Sequence, residues 1–360
     1  MLRLEPRPQA SRAMIYLSPL LALLLTLGSG FVIFRLLGVD AGQALYAFFI
    51  QPLSDGYGVS ELLVKAVPLV LIGVGLAVGF RANVWNIGAE GQLAMGAVFA
   101  GGLAIWVPEE SGVWVLPAML LLGMLGGMLW AAIPALLRTR YNANEILTSL
   151  MLSYVALLFL SYLVHGPWRD PEGFNFPESK LFAASATLPI LLDGTRLHLG
   201  LPIAMAVVAG VWVMLARTLV GFQVRVVGAS PRAAQFAGFR ERAMIWFALL
   251  LAGALAGLAG MIEVAGPIGQ LVPQVSPGYG FTAIIVAFVG RLHPAGVTAA
   301  GLLLALSYLG GENLQIEMGL PQAVTGVFQG MLLFYLLACD VMIHYRVRIG
   351  RPRVIEGARR

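Results

Sequence analysis

Residues 84–102 read Val-Trp-Asn-Ile-Gly-Ala-Glu-Gly-Gln-Leu-Ala-Met-Gly-Ala-Val-Phe-Ala-Gly-Gly. A carboxylate, Glu90, stands between the amides of Asn86 and Gln92 at the start of a run that is apolar enough to cross a bilayer. An ionisable side chain at membrane depth is costly and usually faces protein or a water-filled path instead of lipid. The segment therefore predicts a protein that works inside a membrane.

Glycines mark two places where backbones are expected to approach closely. Gly88 and Gly91 flank the carboxylate and weaken helix propagation, which predicts an irregular or re-entrant start to the span. Gly253, Gly257 and Gly260 follow an i, i+4, i+7 spacing and so share one face of a helix. Such a row of small residues is typical of helix packing in membranes.

The composition excludes a soluble globular domain. Of 360 residues, 59% are hydrophobic and 11% are charged, with a mean hydropathy of +0.85, whereas soluble domains carry about 25% charged residues. The single cysteine, Cys339, excludes an intrachain disulfide framework, and the four histidines have no paired spacing. We therefore predict neither a metal site nor a cofactor. The arginines lie between apolar runs, which indicates contact with membrane lipid and not with nucleic acid.

Ten apolar stretches predict an all-α polytopic membrane protein with about ten transmembrane helices. A spanning helix needs about 20 apolar residues, so the eighth and ninth stretches are marginal and are consistent with a pair of short helices that do not fully cross. We expect a cytoplasmic segment at 1–13, a permease domain at 14–345 and a basic cytoplasmic tail at 346–360. The stretches are 14–38, 62–80, 84–107, 113–137, 145–164, 199–216, 243–265, 279–290, 295–310 and 322–343.

The positions of the basic residues predict the orientation. With the N-terminus inside, only Arg35, Lys65, Arg169, Lys180 and Arg196 of the 23 lysines and arginines fall outside or at the outer boundary. The excess of basic residues on the inner side agrees with the positive-inside rule. Both termini are therefore predicted to be cytoplasmic.

Two loops are long enough to have a function. The outer loop, 165–198, is rich in proline and aromatic residues, which suits an interfacial lid, a partner-docking surface or an ordinary aromatic belt. The inner loop, 217–242, contains Ser230-Pro231, a helix-start signal, and Gly238, a helix-stop signal. These signals predict a helix of about two turns. It either receives force from a soluble motor or lies on the membrane surface.

Three segments resemble one family, the ribose, simple-sugar and nucleoside permeases of ABC importers. They are Asn-Ile-Gly-Ala-Glu-Gly-Gln at 86–92, Val-Gly-Ala-Ser-Pro-Arg-Ala-Ala-Gln-Phe-Ala-Gly at 227–238, and a segment at 278–296 that contains Gly-Tyr-Gly-Phe and Gly-Arg-Leu-His-Pro. The resemblance implies half of a membrane channel in the bacterial inner membrane. It also implies three kinds of partner: a cytoplasmic ABC ATPase, an external substrate-binding protein and a second permease subunit, related or identical.

The nucleoside branch of the family gives the best resemblance, and a simple sugar is the alternative solute. The motif that favours nucleosides continues beyond 86–92 with Asn142 or Asn144 and then Glu145, Ile146, Leu150 and Tyr154. The chain contains no phosphate-binding Gly-x-x-x-x-Gly-Lys-Ser/Thr loop. It is therefore predicted to be a transport subunit and not an enzyme, with ATP hydrolysed by a separate protein.

The resemblance also implies two sets of site residues. Glu90 is interpreted as a fastener of its motif more than as a solute ligand, because a carboxylate on the path would bind cations. The candidates for the motif and translocation path are Asn86, Gly88, Glu90, Gly91, Gln92, Tyr279 and Phe281. The candidates for ATPase coupling are Gly228, Ser230, Pro231, Arg232, Ala233, Ala234 and Gly238.

Two other classes of protein remain alternatives at this stage. An ion-coupled secondary transporter would keep ionisable relays of opposite sign at the midplane, and Glu90 has no obvious basic partner in the sequence. A membrane enzyme would need a nucleophile with its base, or clustered metal ligands. The sequence shows neither a nucleophile with its base nor clustered metal ligands.

Overall fold

The computed structural model describes residues 2–7, 12–108 and 110–349, and almost all of its regular structure is helical. The chain divides into two compact units, Met1–Phe48 with Gly311–Arg360, and Phe49–Gly310. Most of the predicted basic tail, 350–360, lies outside the described residues. The helices are α1 (Arg12–Leu36), α2 (Ala41–Phe49), α3 (Gly56–Arg81), α4 (Ala89–Trp106), α5 (Val115–Tyr141), α6 (Glu145–His165), α7 (Gly200–Arg217), α8 (Leu219–Ala229), α9 (Pro231–Phe236), α10 (Glu241–Glu263), α11 (Tyr279–Val289), α12 (Pro294–Met318) and α13 (Ala323–His344).

Within the described residues, eight helices are long and apolar enough to cross a membrane: α1, α3, α5, α6, α7, α10 with its π-helical extension to Ile268, α12 and α13. Each corresponds to one of the ten predicted stretches. The predicted third span is α4, 18 residues long with Glu90 and Gln92 in its first turn. The predicted eighth span is α11, which has only 11 residues. The marginal ninth stretch belongs to the 25-residue α12, long enough to span.

A pair of strands and the short helix α2 were not predicted from the sequence. Residues 2–6 form strand β1 and residues 345–349 form strand β2, and the two pair antiparallel with Leu2 opposite Ile349. The short helix α2 follows Asp40, whose carboxylate accepts hydrogen bonds from the backbone of Gly42 at 2.8 Å and Gln43 at 3.0 Å. These two bonds lower the pKa of Asp40 below its usual value.

In the first unit, α1 packs against α13 through both polar and aromatic contacts. Ser18 donates to the carboxylate of Asp340 at 2.6 Å. The ring of Phe328 stacks on Phe34 and Phe48, with centroid distances of 5.4 and 4.7 Å. A part-buried carboxylate that accepts a hydrogen bond from a hydroxyl is less costly than one left without a donor.

The core of the second unit is a packing of α4, α5 and α10 in which glycines replace side chains at the contacts. A Cβ added at Gly257 would overlap the backbone of Gly123 and approach that of Gly127, and one at Gly96 would overlap Gly257 itself. A Cβ at Gly260 would likewise overlap the Leu93 carbonyl. Without side chains, the three backbones approach close enough for dense van der Waals contact, which drives helix association in a membrane.

Gly257→Ala should therefore destabilise the chain, because its methyl group would have to displace backbone. The usual cost of overpacking is about 1–3 kcal/mol of unfolding free energy. The matched control is Gly210→Ala in α7, where a Cβ meets nothing within 4 Å. Thermal unfolding of the purified chain in detergent should show a lower midpoint for Gly257→Ala only. Equal midpoints for the two variants would contradict this account of the core.

Candidate functional site

The amides of Asn86 and Gln92 form a reciprocal pair at the start of α4. Asn86 donates to Oε1 of Gln92 at 2.9 Å, and Gln92 donates back to Oδ1 of Asn86 at 3.1 Å. Oδ1 of Asn86 also accepts from the backbone N–H of Gly88 at 3.0 Å. Both side chains are buried. Their hydrogen bonds are therefore directed into the turn that begins α4 and stabilise it.

Glu90 binds the first turn of another helix. Its Oε2 accepts from the backbone N–H of Gly280 at 2.6 Å, and its side chain also bonds Ser276. Ser276 Oγ in turn accepts from the N–H groups of Gly278 and Tyr279, at 3.1 and 2.8 Å. The N–H groups of Tyr279 and Gly280, which begin α11 and have no acceptor within the helix, are thus bound by side chains of the protein, and a negative charge at a helix N-terminus is favourable.

The contact between α4 and α11 also requires Gly280 to be a glycine. A Cβ at this position would overlap the backbone of Ala89 and Glu90. Glu90 itself is 2% exposed. Because this carboxylate is buried and bonded to the backbone of α11, the structure favours fastening over solute binding as its role.

Two serines of α6 complete the motif, and the sequence analysis did not single them out. Ser149 accepts from the N–H of Ile87 at 3.1 Å, and Ser153 accepts from the N–H of Gly91 at 3.4 Å. A Cβ at Gly91 would lie 2.6 Å from Cα of Ser153. The i, i+4 spacing of two serines in an apolar helix was the available signal, since it places both hydroxyls on one face.

The second part of the nucleoside-type motif forms the corner between α5 and α6. Asn142 adopts a left-handed conformation, φ 53°, and ends α5. Asn144 caps α6 by accepting from Ile146 N–H at 2.9 Å. Glu145 forms an ion pair with Arg138. The two asparagines therefore have different structural roles, helix stop and helix start.

The aromatic candidates at the start of α11 have unequal exposure. Tyr279 is buried and its ring meets Tyr308 edge to face, with centroids 5.3 Å apart. The hydroxyl of Tyr308 is also hydrogen-bonded to Thr282 at 2.7 Å. Phe281 is half-buried. Of the two, only Phe281 has surface that a solute can reach in this conformation.

A helix face that the sequence analysis did not assign to the path is exposed along α6. Tyr154, ten residues into the helix, is 54% exposed, and Tyr162 near its other end is 64% exposed. Apart from its terminal residues Glu145 and His165, α6 carries no ionisable side chain other than tyrosine. The exposed apolar residues between and beside the tyrosines are Leu147, Met151, Val155, Leu158 and Phe159.

The inner segment folds into two consecutive helices, α8 and α9, where the sequence predicted one. Ser230 caps α9 by accepting from Ala233 N–H at 3.3 Å, and Gly238 follows the helix with φ +77°. Pro231, Arg232 and Ala233 are exposed, whereas Ala234 is buried. Phe236 of α9 is 95% exposed and was not among the predicted coupling residues.

The outer loop, 165–198, is bound to the chain that follows α10. Phe182 N–H donates to the carbonyl of Gly269 at 2.8 Å, and Leu188 N–H donates to that of Ala265 at 2.7 Å. These bonds run from the loop to the π-helical turn and its successor. The loop is therefore built on the end of α10, and its aromatic residue Phe174 remains 93% exposed.

An ion pair fixes the end of this loop on α3. Arg196 bonds both carboxylate oxygens of Glu61, and the hydrogen bond to Glu61 raises the pKa of Arg196. Beside them His198 is 3% exposed, and its Nδ1 accepts from Gly200 N–H at 3.0 Å. Burial lowers the pKa of His198 to about 4, so its ring is neutral at physiological pH.

Replacing Glu90 should separate the fastening role from a role of its charge. Glu90→Gln keeps an oxygen acceptor for Gly280 N–H, whereas Glu90→Ala leaves that buried donor unpaired. We expect Glu90→Ala to lower the unfolding free energy by about 1–3 kcal/mol and Glu90→Gln to cost less. Thermal unfolding measures both, with Glu172→Ala on the exposed outer loop as a control. Equal losses for Gln and Ala would contradict the fastening role.

Comparison with known proteins assigns the chain to a family. Residues 58–337 match the family described as "Branched-chain amino acid transport system / permease component". The chain is 38% identical to the glucose ABC transporter permease protein TsgB13 of Haloferax volcanii, covering 98% of this chain and 95% of that protein. It is 31% identical to the guanosine ABC transporter permease protein NupP of Bacillus subtilis, covering 89% and 92%. Identity to the nucleoside ABC transporter permease protein NupB of Lactococcus lactis is 27%, covering 89% and 90%. The chain therefore belongs to this permease family and is a multi-pass permease subunit of an ABC transporter in the inner membrane.

Proposed function

We propose that this chain forms half of the channel of a binding-protein-dependent importer for nucleosides. Its partners are a separate cytoplasmic ATPase, an external substrate-binding protein and a second permease subunit. Both termini lie on the cytoplasmic side, as the arginine distribution predicts. The family assignment supports an ABC mechanism over the ion-coupled alternative.

The observation that carries the proposal is the exposure of Tyr154 halfway along α6. A phenol is favourable at the membrane interface, where one end is wet, and unfavourable in the middle of the hydrocarbon, where its hydroxyl finds no partner. The hydroxyl of Tyr154 bonds no other described residue. This face of α6 is therefore better suited to a solute path or to the second permease subunit than to lipid.

The chemistry of the same face suits a neutral solute with hydroxyl groups. Aromatic rings stack on a flat base, and phenol hydroxyls exchange hydrogen bonds with a sugar. A charged path would instead select ions, and α6 presents no charge between its ends. Glu90 is tied to Gly280 and so does not add its charge to this face.

The relatives support two solutes. The motifs at 86–92 and 142–154 favour the nucleoside branch, and two relatives are named for guanosine and for nucleosides. The second candidate is a simple sugar, because the relative with 38% identity is named for glucose. A nucleoside contains a sugar, so one face of tyrosines and apolar residues can accept either, and uptake must decide between them.

Uptake by cells that express the complete transporter tests the solute and the path together. We expect accumulation of radiolabelled guanosine that excess glucose does not reduce. Tyr154→Ala should lower uptake about tenfold, the effect of losing one stacked ring. The control is Leu121→Ala, an exposed apolar residue of α5. Accumulation of radiolabelled glucose alone would select the sugar importer instead. Normal uptake by Tyr154→Ala would remove α6 from the path.

Coupling to the ATPase is assigned to α9 and to its exposed tip, Phe236. An aromatic side chain that is almost fully exposed on a capped cytoplasmic helix is the kind of residue that anchors an interface. The other predicted coupling residues lie in this helix or beside it, and Ala234 is on its buried side. They are Gly228, Ser230, Pro231, Arg232, Ala233 and Gly238.

Phe236→Ala should weaken binding of the ATPase subunit. Phe174→Ala is a matched control, because it makes the same change at a similarly exposed position in the loop predicted to lie outside. Loss of an anchoring aromatic residue typically costs about 2 kcal/mol or more. Copurification of the ATPase with each tagged variant provides the measurement. Equal recovery with both variants would contradict the assignment of α9, and loss with Phe174→Ala alone would reverse the predicted orientation.

A further inference from the structure

The connection from α11 to α12 is a tight hook that contains the Gly-Arg-Leu-His-Pro motif. Arg291 and Leu292 both have left-handed backbones, with φ 52° and 56°, which is unusual for residues other than glycine. Leu292 N–H donates to the Ala287 carbonyl at 2.8 Å. A Cβ at Gly290 would overlap the backbone of Val297. The hook therefore holds the end of α11 rigidly on the start of α12.

Arg81, the last residue of α3, is bound to this hook. Its Nε donates to the Leu292 carbonyl at 2.9 Å. One residue earlier, the ring of Phe80 stacks on Phe288 of α11, with centroids 5.0 Å apart and an interplanar angle of 20°. The ends of α3 and α11 are thus joined by a hydrogen bond and by an aromatic stack.

The backbone of Arg81 also contacts the coupling segment, which consists of α8 and α9. A Cβ at Gly228 in α8 would overlap the Arg81 carbonyl and lie 3.2 Å from Cα of Ala82. Only two residues lie between Gly228 and Pro231, the start of α9. A displacement of α9 therefore reaches the end of α3 directly, without intervening side chains.

At its other end α11 is held by Glu90, which binds Gly280 N–H. This 11-residue helix is thus attached at its start to α4 and at its end to α3. A short helix held at both ends moves as a rigid unit, because helices resist bending and the attachments fix its termini.

We propose that Arg81 is the positioning residue that transmits movement of the α8–α9 coupling segment to α11. The inference rests on the proposed coupling role of α9. Gly228 presses on the backbone of Arg81, and the Arg81 side chain passes the displacement to the Leu292 carbonyl. The α11 helix then shifts together with the first turn of α4, to which Glu90 fastens it. The Gly-Arg-Leu-His-Pro sequence supplies the carbonyl that Arg81 binds.

The test compares Arg81→Gln with Arg81→Met in the complete transporter reconstituted in liposomes. Nε2 of Gln stands the same number of bonds from Cα as Nε of Arg, so Arg81→Gln keeps a donor and loses the charge. Arg81→Met keeps a similar stem and loses both. We expect the ATP hydrolysed per imported solute to rise about fivefold in Arg81→Met, the effect of one hydrogen bond, and to change little in Arg81→Gln. Radiolabelled guanosine and radiolabelled glucose serve as the probes.

The outcomes separate this inference from the proposal on which it rests. Equal ATP per solute in Arg81→Gln and Arg81→Met, whether normal or raised, would overturn the role of the hydrogen bond. Phe236→Ala is measured in parallel. If Phe236→Ala leaves the ATPase bound and the ATP per solute normal, the assignment of α9 fails, whatever the result for the Arg81 variants. If Arg81→Met does not assemble, Gly228→Ala displaces α8 from the same carbonyl and is expected to raise ATP per solute; unchanged coupling in that variant would overturn the inference.

Discussion

The structure depends on one constraint: inside a bilayer, every backbone N–H that a helix leaves unpaired must find an acceptor within the protein. Two helices begin in the interior of the second unit, α4 and α11, and their first turns face this problem together. Glu90 in the first turn of α4 accepts from Gly280 in the first turn of α11. Ser149 and Ser153 supply acceptors from α6. The polar residues at 86–92 and the two serines of α6 therefore allow α4 and α11 to begin in the buried interior of the unit.

Close backbone packing follows from the same arrangement. Helices that share hydrogen bonds at their ends cannot be separated by large side chains, so glycines occupy the contacts between α4, α10 and α11. Gly280 lies against Glu90, and Gly96 lies against Gly257. Where lipid is as apolar as the side chains, such contact and not the hydrophobic effect holds the helices together. The polar motif at 86–92 and the glycines at the helix contacts thus both hold the helix backbones close together.

Much of the fold could be predicted from the sequence, because long apolar runs and caps act locally. Eight of the ten predicted stretches correspond to helices long enough to span, and Ser230 and Gly238 delimit α9 as expected. The parts that could not be predicted depend on distant partners. Leu2–Pro6 pairs with Tyr345–Ile349 across the length of the chain, and nothing local in either segment indicates the other. The orientation and the number of spans remain predictions.

The candidate site likewise has parts that could be predicted from the sequence and parts that could not. The sequence predicts Glu90 to be a fastener, because a carboxylate on the path would bind cations, and this role stays a prediction; the structure buries the side chain. Its actual partner is a backbone N–H 190 residues away, which has no side-chain signature beyond the requirement for glycine at 280. Phe236 and Tyr154 lie in the quoted motifs but were not predicted as site residues. Their proposed roles depend on exposure, and an aromatic residue in an apolar sequence gives no sign of which face it occupies.

The fixed carboxylate also has a consequence for transport. A buried charge that binds protein donors is held by geometry, and releasing it into a path would leave Gly280 unpaired at a cost of about 1–3 kcal/mol. A conformational change that keeps this bond moves α4 and α11 as one body relative to their neighbours. The hook after α11 and the end of α3 connect this body to the α8–α9 coupling segment, so movement of that segment acts on the body there. In this proposal, Glu90 keeps the moving part intact by holding the first turn of α4 on that of α11.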